Sequence, residues 1–147
     1  DPDPYPEIGI HRFKFAITLT DTSSRKNLID RAFAYNHPLS AVSSSVHPGS
    51  LPATYSFRKQ LEGNVVLSTV KMAEDGEEGK NKLIIRAYEI EGRLGEGVLE
   101  FCKKARQAYY VDIHEKKISS PLNIQVNENR LSFQVSPYGV ATVCVEF

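Results

Sequence analysis

The chain has 147 residues, a hydrophobic share of 41%, and 18 basic against 18 acidic side chains, so its formal net charge is zero. That length fits one domain with an ordinary core, and the charge balance excludes a basic face working by counterion release on DNA. No apolar run approaches the roughly 20 residues of a membrane-spanning helix, and the N-terminus is unlike a basic-then-apolar signal peptide. Two cysteines, Cys102 and Cys144, are too few for a disulfide framework and lack metal-ligand spacing. Either two free thiols or one disulfide is compatible with them, and a reducing, cytoplasmic setting is expected.

The opening "DPDPYPEIG" alternates prolines with acidic and aromatic residues. Such a composition is extended and poor in backbone donors, so residues 1–8 read as a linker. There is no initiator Met, and the other end, "GVATVCVEF", stops on an apolar β-like run. Residues 9–147 are expected to form one C-terminal domain of a longer polypeptide. In "HRFKFAITL" (11–19), Phe13, Phe15, Ile17 and Leu19 alternate with Arg12, Lys14, Ala16 and Thr18, and a period of two predicts a half-buried strand. Leu28, Ile29, Ala32 and Phe33 then recur at helical spacing behind candidate N-caps Ser23 and Ser24, and Pro38 ends the run. A short helix near residues 24–35 is predicted, followed by a loop in "SAVSSSVHPGSLPA".

Apolar, β-branched runs occupy 65–73 and 82–90, joined by an acidic, glycine-containing segment. Further runs at 108–114, 123–126, 130–136 and 140–147 are separated by the turn signals "EGRLGEG", "EKKISSP", "NEN" and "SPYG". There is no internal repeat. The fold class expected is all-β, an antiparallel β-sandwich with one short helix. Phe13, Phe15, Ile17, Val65, Leu67, Ile85, Val111, Leu131, Phe133, Val143 and Val145 are its expected interior.

Candidate chemistry is sparse. Glu74, Asp75, Glu77 and Glu78 cluster in the acidic segment, but a catalytic acid needs burial or a close like charge to raise its pKa. Four carboxylates on a glycine-bearing turn, followed by Lys80 and Lys82, describe a hydrated hairpin tip, and the calcium-loop pattern is absent. His11, His37, His47 and His114 share no i,i+4 pairing and no nearby cysteine, so no local zinc motif exists. The serines at 43–45 lack a nucleophile elbow, and "RLGEG" lacks the strand–loop–helix context of a phosphate cradle. Asp112, His114 and Glu89 are the groups that a fold could draw together from separate strands. Tyr109 and Tyr110 are adjacent and must face opposite sides of a strand, which makes one of them a candidate sugar contact.

Several strings carry a resemblance. "GNVVLSTVKMAEDGEEGKNKLIIRAYEIEG" resembles the late β-domain signature of glycoside hydrolase family 38, the α-mannosidases. "GIHRFKFAITL" looks like the family's entry strand, "AYNHPL" is similar to its "A-LN-PL" segment, and "SPYGVATVCVEF" resembles its closing strand. The likeness is collinear from about Gly9 onward; "TLTDTS", Tyr138 and the "KNK" insertion depart from it. It implies retaining hydrolysis of α-mannosidic bonds in glycans, by two carboxyl groups and a zinc ion that belong to an N-terminal domain and the helical region after it. No catalytic, cofactor-binding or metal residue carries over to this chain, whose partners would be the rest of its own polypeptide and the enzyme's glycan substrate, with no nucleic acid and no membrane. Two other readings stand beside it: a carbohydrate-binding module gripping sugars through Tyr109 or Tyr110, and an interaction domain without sugar in its biology.

Overall fold

The computed structural model describes residues 8–19, 25–50, 52–74 and 81–147. The chain divides into two compact units, Asp1–Ser40 and Ala41–Phe147.

In the first unit the expected helix forms as α1, Arg25–Asn36. A Lys26–Asp30 ion pair of 2.7 Å spans one turn on its surface, with the i,i+4 spacing that brings such side chains together. At its end the His37 N–H donates to Phe33 O at 2.8 Å and the His37 ring stacks on Phe33, directly before Pro38 stops the helix. The expected caps Ser23 and Ser24 lie outside the described residues.

The strand expected at 11–19 is corrected. These residues run extended, with the rings of His11, Phe13 and Phe15 stacked at 6.3 and 6.5 Å, close to the rise of two strand residues (about 6.6 Å). They pair with neither sheet, and Phe13, Phe15 and Ile17, expected inside, are 75%, 87% and 99% exposed. Alternation creates two faces, but a strand also needs a ladder partner, and both sheets are assembled wholly from residues 58–146.

The second unit is an antiparallel sandwich. Its strands are β1 (Arg58–Gly63), β2 (Val65–Met72), β3 (Lys82–Glu89), β4 (Gly95–Phe101), β5 (Gln107–Val111), β6 (Ile124–Asn127), β7 (Arg130–Val135) and β8 (Val140–Glu146). One sheet has the order β1-β4-β7-β6 and the other β2-β3-β8-β5. Leu99, Phe101, Leu131, Phe133 and Val135 from the first sheet pack on Val65, Leu83, Ile85, Ala87, Tyr110, Ala141, Val143 and Val145 from the second. Of the expected interior, Leu67 is half-buried against this core, whereas Val111 sits on the opposite face of its sheet with Ile84 and Cys144. Both thiols are free, Cys144 buried and Cys102 exposed.

Two strands escaped the sequence reading. β1, "RKQLEG", shows no apolar alternation, and β4, "GEGVLEF", begins inside "EGRLGEG", which reads as a turn signal. The β4 glycines are there for space: a Cβ on Gly97 would meet Phe133 Cζ at 2.6 Å, and one on Gly95 would meet Glu89 Cγ at 2.8 Å. Strand glycines of this kind mark a close approach by a neighbour. The run at 108–114 is shorter than expected, because Asp112 Oδ1 accepts the N–H groups of His114 and Lys116 at 2.9 and 2.8 Å and turns the chain. His114 is therefore an exposed turn residue and not an outward strand residue.

Candidate functional site

The residue with the most developed surroundings is Glu89, at the last position of β3. Its side chain points between the sheets and the residue is only 3% exposed. Oε1 accepts from Asn64 Nδ2 at 2.9 Å and from the Glu91 N–H at 2.6 Å. Oε2 accepts from the N–H groups of Gly92 at 2.8 Å and Tyr138 at 3.0 Å. Asn64 in turn accepts the Glu96 N–H through Oδ1 at 3.0 Å. One carboxylate thereby ties the β1–β2, β3–β4 and β7–β8 turns to one another. The backbone complies at two unusual points: Gly92 has φ 77° and Tyr138 has φ 50°, and the Tyr138 ring lies over the place a Gly92 side chain would need.

Burial on its own would push the Glu89 carboxyl upward; the Tyr138, Glu91 and Gly92 N–H groups and the Asn64 amide outweigh it and hold the pKa at about 2. A general acid for glycoside hydrolysis needs the opposite, a carboxyl held protonated near neutrality. Glu89 is a permanent anion at physiological pH, suited to holding turns. Neither Asp112 nor His114 is among its partners, so the convergence considered from sequence does not form around it. The sequence offered one signal for it, a carboxylate at an inward position of an otherwise apolar strand; the donors come from three other segments.

Tyr110 faces the core at 5% exposure. Its hydroxyl donates toward Asn123 O and Gln134 O at 2.9 and 2.7 Å and accepts the Gln134 N–H at 2.9 Å, so it presents no face to a sugar. Tyr109 lies on the outer side, half-buried. Its hydroxyl donates to Glu146 Oε1 at 2.8 Å, and the Lys117 ammonium sits 4.8 Å above its ring. Burial first, then its bonds to Cys144 and Glu146, push the Tyr109 phenol up. A sugar stacking here has to displace Lys117.

Of the acidic run, Asp75, Glu77 and Glu78 lie outside the described residues. Glu74 is exposed and pairs with Lys71 at 2.6 Å, and Lys71 also reaches Glu115 at 2.6 Å. The Lys71–Glu74 pair is the exposed one, and such pairs contribute little. Neutralising Glu74, Asp75, Glu77 and Glu78 together is expected to leave the melting temperature within a few degrees of the parent, as surface substitutions usually do. A drop as large as that of a core substitution in calorimetry would give the hairpin a binding or folding role.

Among the described residues no three His, Cys, Asp or Glu side chains converge to hold a metal ion. His37 Nδ1 lies 3.1 Å from Phe33 O and His47 Nδ1 3.0 Å from Pro48 O, local main-chain contacts only. No helix among the described residues is long and apolar enough to cross a membrane.

The outer face of the first sheet carries a groove of about 470 Å³ along β7, bounded by β4 on one side and β6 on the other. Glu96, Gln125, Asn127, Arg130 and Ser132 line it around Val98. No single stretch of sequence signals it, since its walls lie on three separate strands.

A family model described as the glycosyl hydrolases family 38 C-terminal beta sandwich domain matches residues 64–143, more than half of the chain. The matched stretch runs from Asn64 through Glu89 to Tyr138 and so contains the whole carboxylate tie. No curated protein and no solved structure matches the chain.

Proposed function

Because the chain belongs to the glycosyl hydrolases family 38 C-terminal beta sandwich domain family, we propose that it is the supporting sandwich of an α-mannosidase. In this reading α-mannosidic bonds in glycans are hydrolysed by a zinc-binding domain in another part of a longer polypeptide, against which this sandwich packs. The family match carries the reading. It is supported by the character of Glu89, a buried carboxylate turned into a structural anion. It is supported also by an apolar hollow of about 230 Å³ lined by Phe57, Met72, Leu83 and Phe147, where Met72 is largely exposed. Two free thiols are in keeping with a cytoplasmic setting.

The purified 147-residue chain is expected to show no turnover of an aryl α-mannoside, with or without added zinc. Retaining hydrolysis needs two carboxyl groups about 5–5.5 Å apart, one of them with a raised pKa. Turnover abolished both by a chelator and by one carboxylate substitution would overturn this. The positive half of the reading is tested on the coding sequence upstream of Asp1: a zinc-binding hydrolase domain in frame is the expected finding, and a stop codon would sink it.

A further inference from the structure

We propose that the groove on the outer face of the β1-β4-β7-β6 sheet is a binding site for a neutral oligosaccharide, an activity separate from support of a catalytic domain. The ladder register sets its chemistry. Glu100, Arg130 and Asn127 form one cross-strand row, Val98, Ser132 and Gln125 the next, and Glu96 and Gln134 the third. Side chains in a row stand about 4.8 Å apart and the outer rows are separated by about 13 Å along the strands. Glu96 and Arg130, at the two ends of the groove, are therefore too far apart to neutralise each other.

The five polar side chains around Val98 have no hydrogen-bond or ion-pair partner among the described residues, whereas the neighbouring Gln134 side chain is engaged, accepting the Asn123 N–H at 3.1 Å. Their hydrogen bonds are available to a ligand. Side-chain amides offer a donor and an acceptor side by side, the pattern that sugar hydroxyls, donor and acceptor in one group, complement. Glu96 accepts from two hydroxyls, Arg130 donates to hydroxyl or ring oxygens, and Ser132 does either. Val98, only 6% exposed, floors the groove and offers a sugar ring little apolar surface, so recognition rests on the polar side chains around it. Gly63 lines the β1 side, where the nearby Glu96 carbonyl leaves no room for a side chain.

Competing ligand classes fit less well. A phosphate or nucleic acid would meet one guanidinium and a carboxylate in the same groove, and an apolar ligand would strand five polar groups without partners. The volume lies within the range of small-molecule sites, about 300–1,000 Å³. The side chains sit on paired strands, which hold a constellation more rigidly than loops do. Without an aromatic platform the affinity is expected to be weak.

The test is a titration of the chain with mannotriose, cellotriose and glycerol in separate arms, followed by backbone amide NMR shifts. At least one trisaccharide is expected to give saturable shifts confined to residues 95–100, 123–127 and 130–134, with glycerol giving none. A double variant, Gln125→Ala with Arg130→Ala, is expected to weaken that binding at least tenfold while the rest of the spectrum is unchanged. No saturable shifts with either sugar, shifts centred on Tyr109, equal shifts with glycerol, or undiminished binding in the double variant would each overturn the proposal. The readout is binding alone, so failure here leaves the hydrolase reading standing.

Discussion

A Glu89→Gln variant is expected to melt roughly 10 °C or more below the parent near neutral pH, an effect of core-substitution size for a unit of this length. The substitution keeps the shape but removes the charge, and it replaces one acceptor oxygen with an NH₂ group. Whichever way the new amide is turned, that NH₂ faces two donors: Asn64 Nδ2 and the Glu91 N–H, or the Gly92 and Tyr138 N–H groups. Buried donors left facing a donor carry the full desolvation penalty. Three turns at one end of the sandwich lose their common anchor together.

The pH dependence gives a second reading of the same residue. The Glu89 carboxyl titrates at about 2 when folded, against an ordinary 4.5. Between those values the unfolded chain binds the extra proton, so stability falls as pH falls. The contribution of Glu89 is complete above about 4.5 and is lost as the pH approaches 2. Glu146 is also lowered, chiefly by the Gln107 side chain and against its own burial, with Tyr109 and Lys82 adding to the effect; it remains in the variant. Thermal melts at stepped pH should therefore show the gap between parent and variant narrowing through that window. A constant gap, or none at neutral pH, would show that the carboxylate is not the anchor.

Gly63→Ala is expected to cost on the order of 3–5 kcal/mol, the sum of strain at a positive φ and overpacking. Gly63 has φ 122°, and a Cβ placed there would run into the Glu96 carbonyl oxygen and crowd Gly97 Cα, both main chain. Backbone cannot swing aside as a side chain does, so β1 has to pull away from β4. That is a large share of the roughly 5–15 kcal/mol that holds a domain together. Chemical denaturation would show it, with Gly49→Ala as the control, since nothing lies within 4 Å of a Cβ at Gly49. Equal stability of the two variants would mean that the close crossing at Gly63 is not maintained in solution.

Local information in the chain determines much of this protein. The alternation of Leu131, Phe133 and Val135 and the β-branched runs at 65–73 and 82–90 placed strands near β7, β2 and β3, because a period of two is a property of the chain alone. Helical spacing before Pro38 located α1 in the same way, and the resemblance carried by the string at 63–92 falls where the family model matches, residues 64–143. Tertiary structure decided the rest, because those features depend on residues far apart in sequence. Residues 11–19 have a strand's pattern and form no strand, while Gly95–Gly97, the end of a turn signal, open β4 because they pair with β7. Of two adjacent tyrosines, pairing with β8 sent Tyr110 inward to main-chain partners and left Tyr109 beneath Lys117. Glu89 became an anion with a pKa of about 2 only when four donors from the β1–β2, β3–β4 and β7–β8 turns met around it; periodicity shows which way a side chain faces, and only the packed chain shows what it meets there.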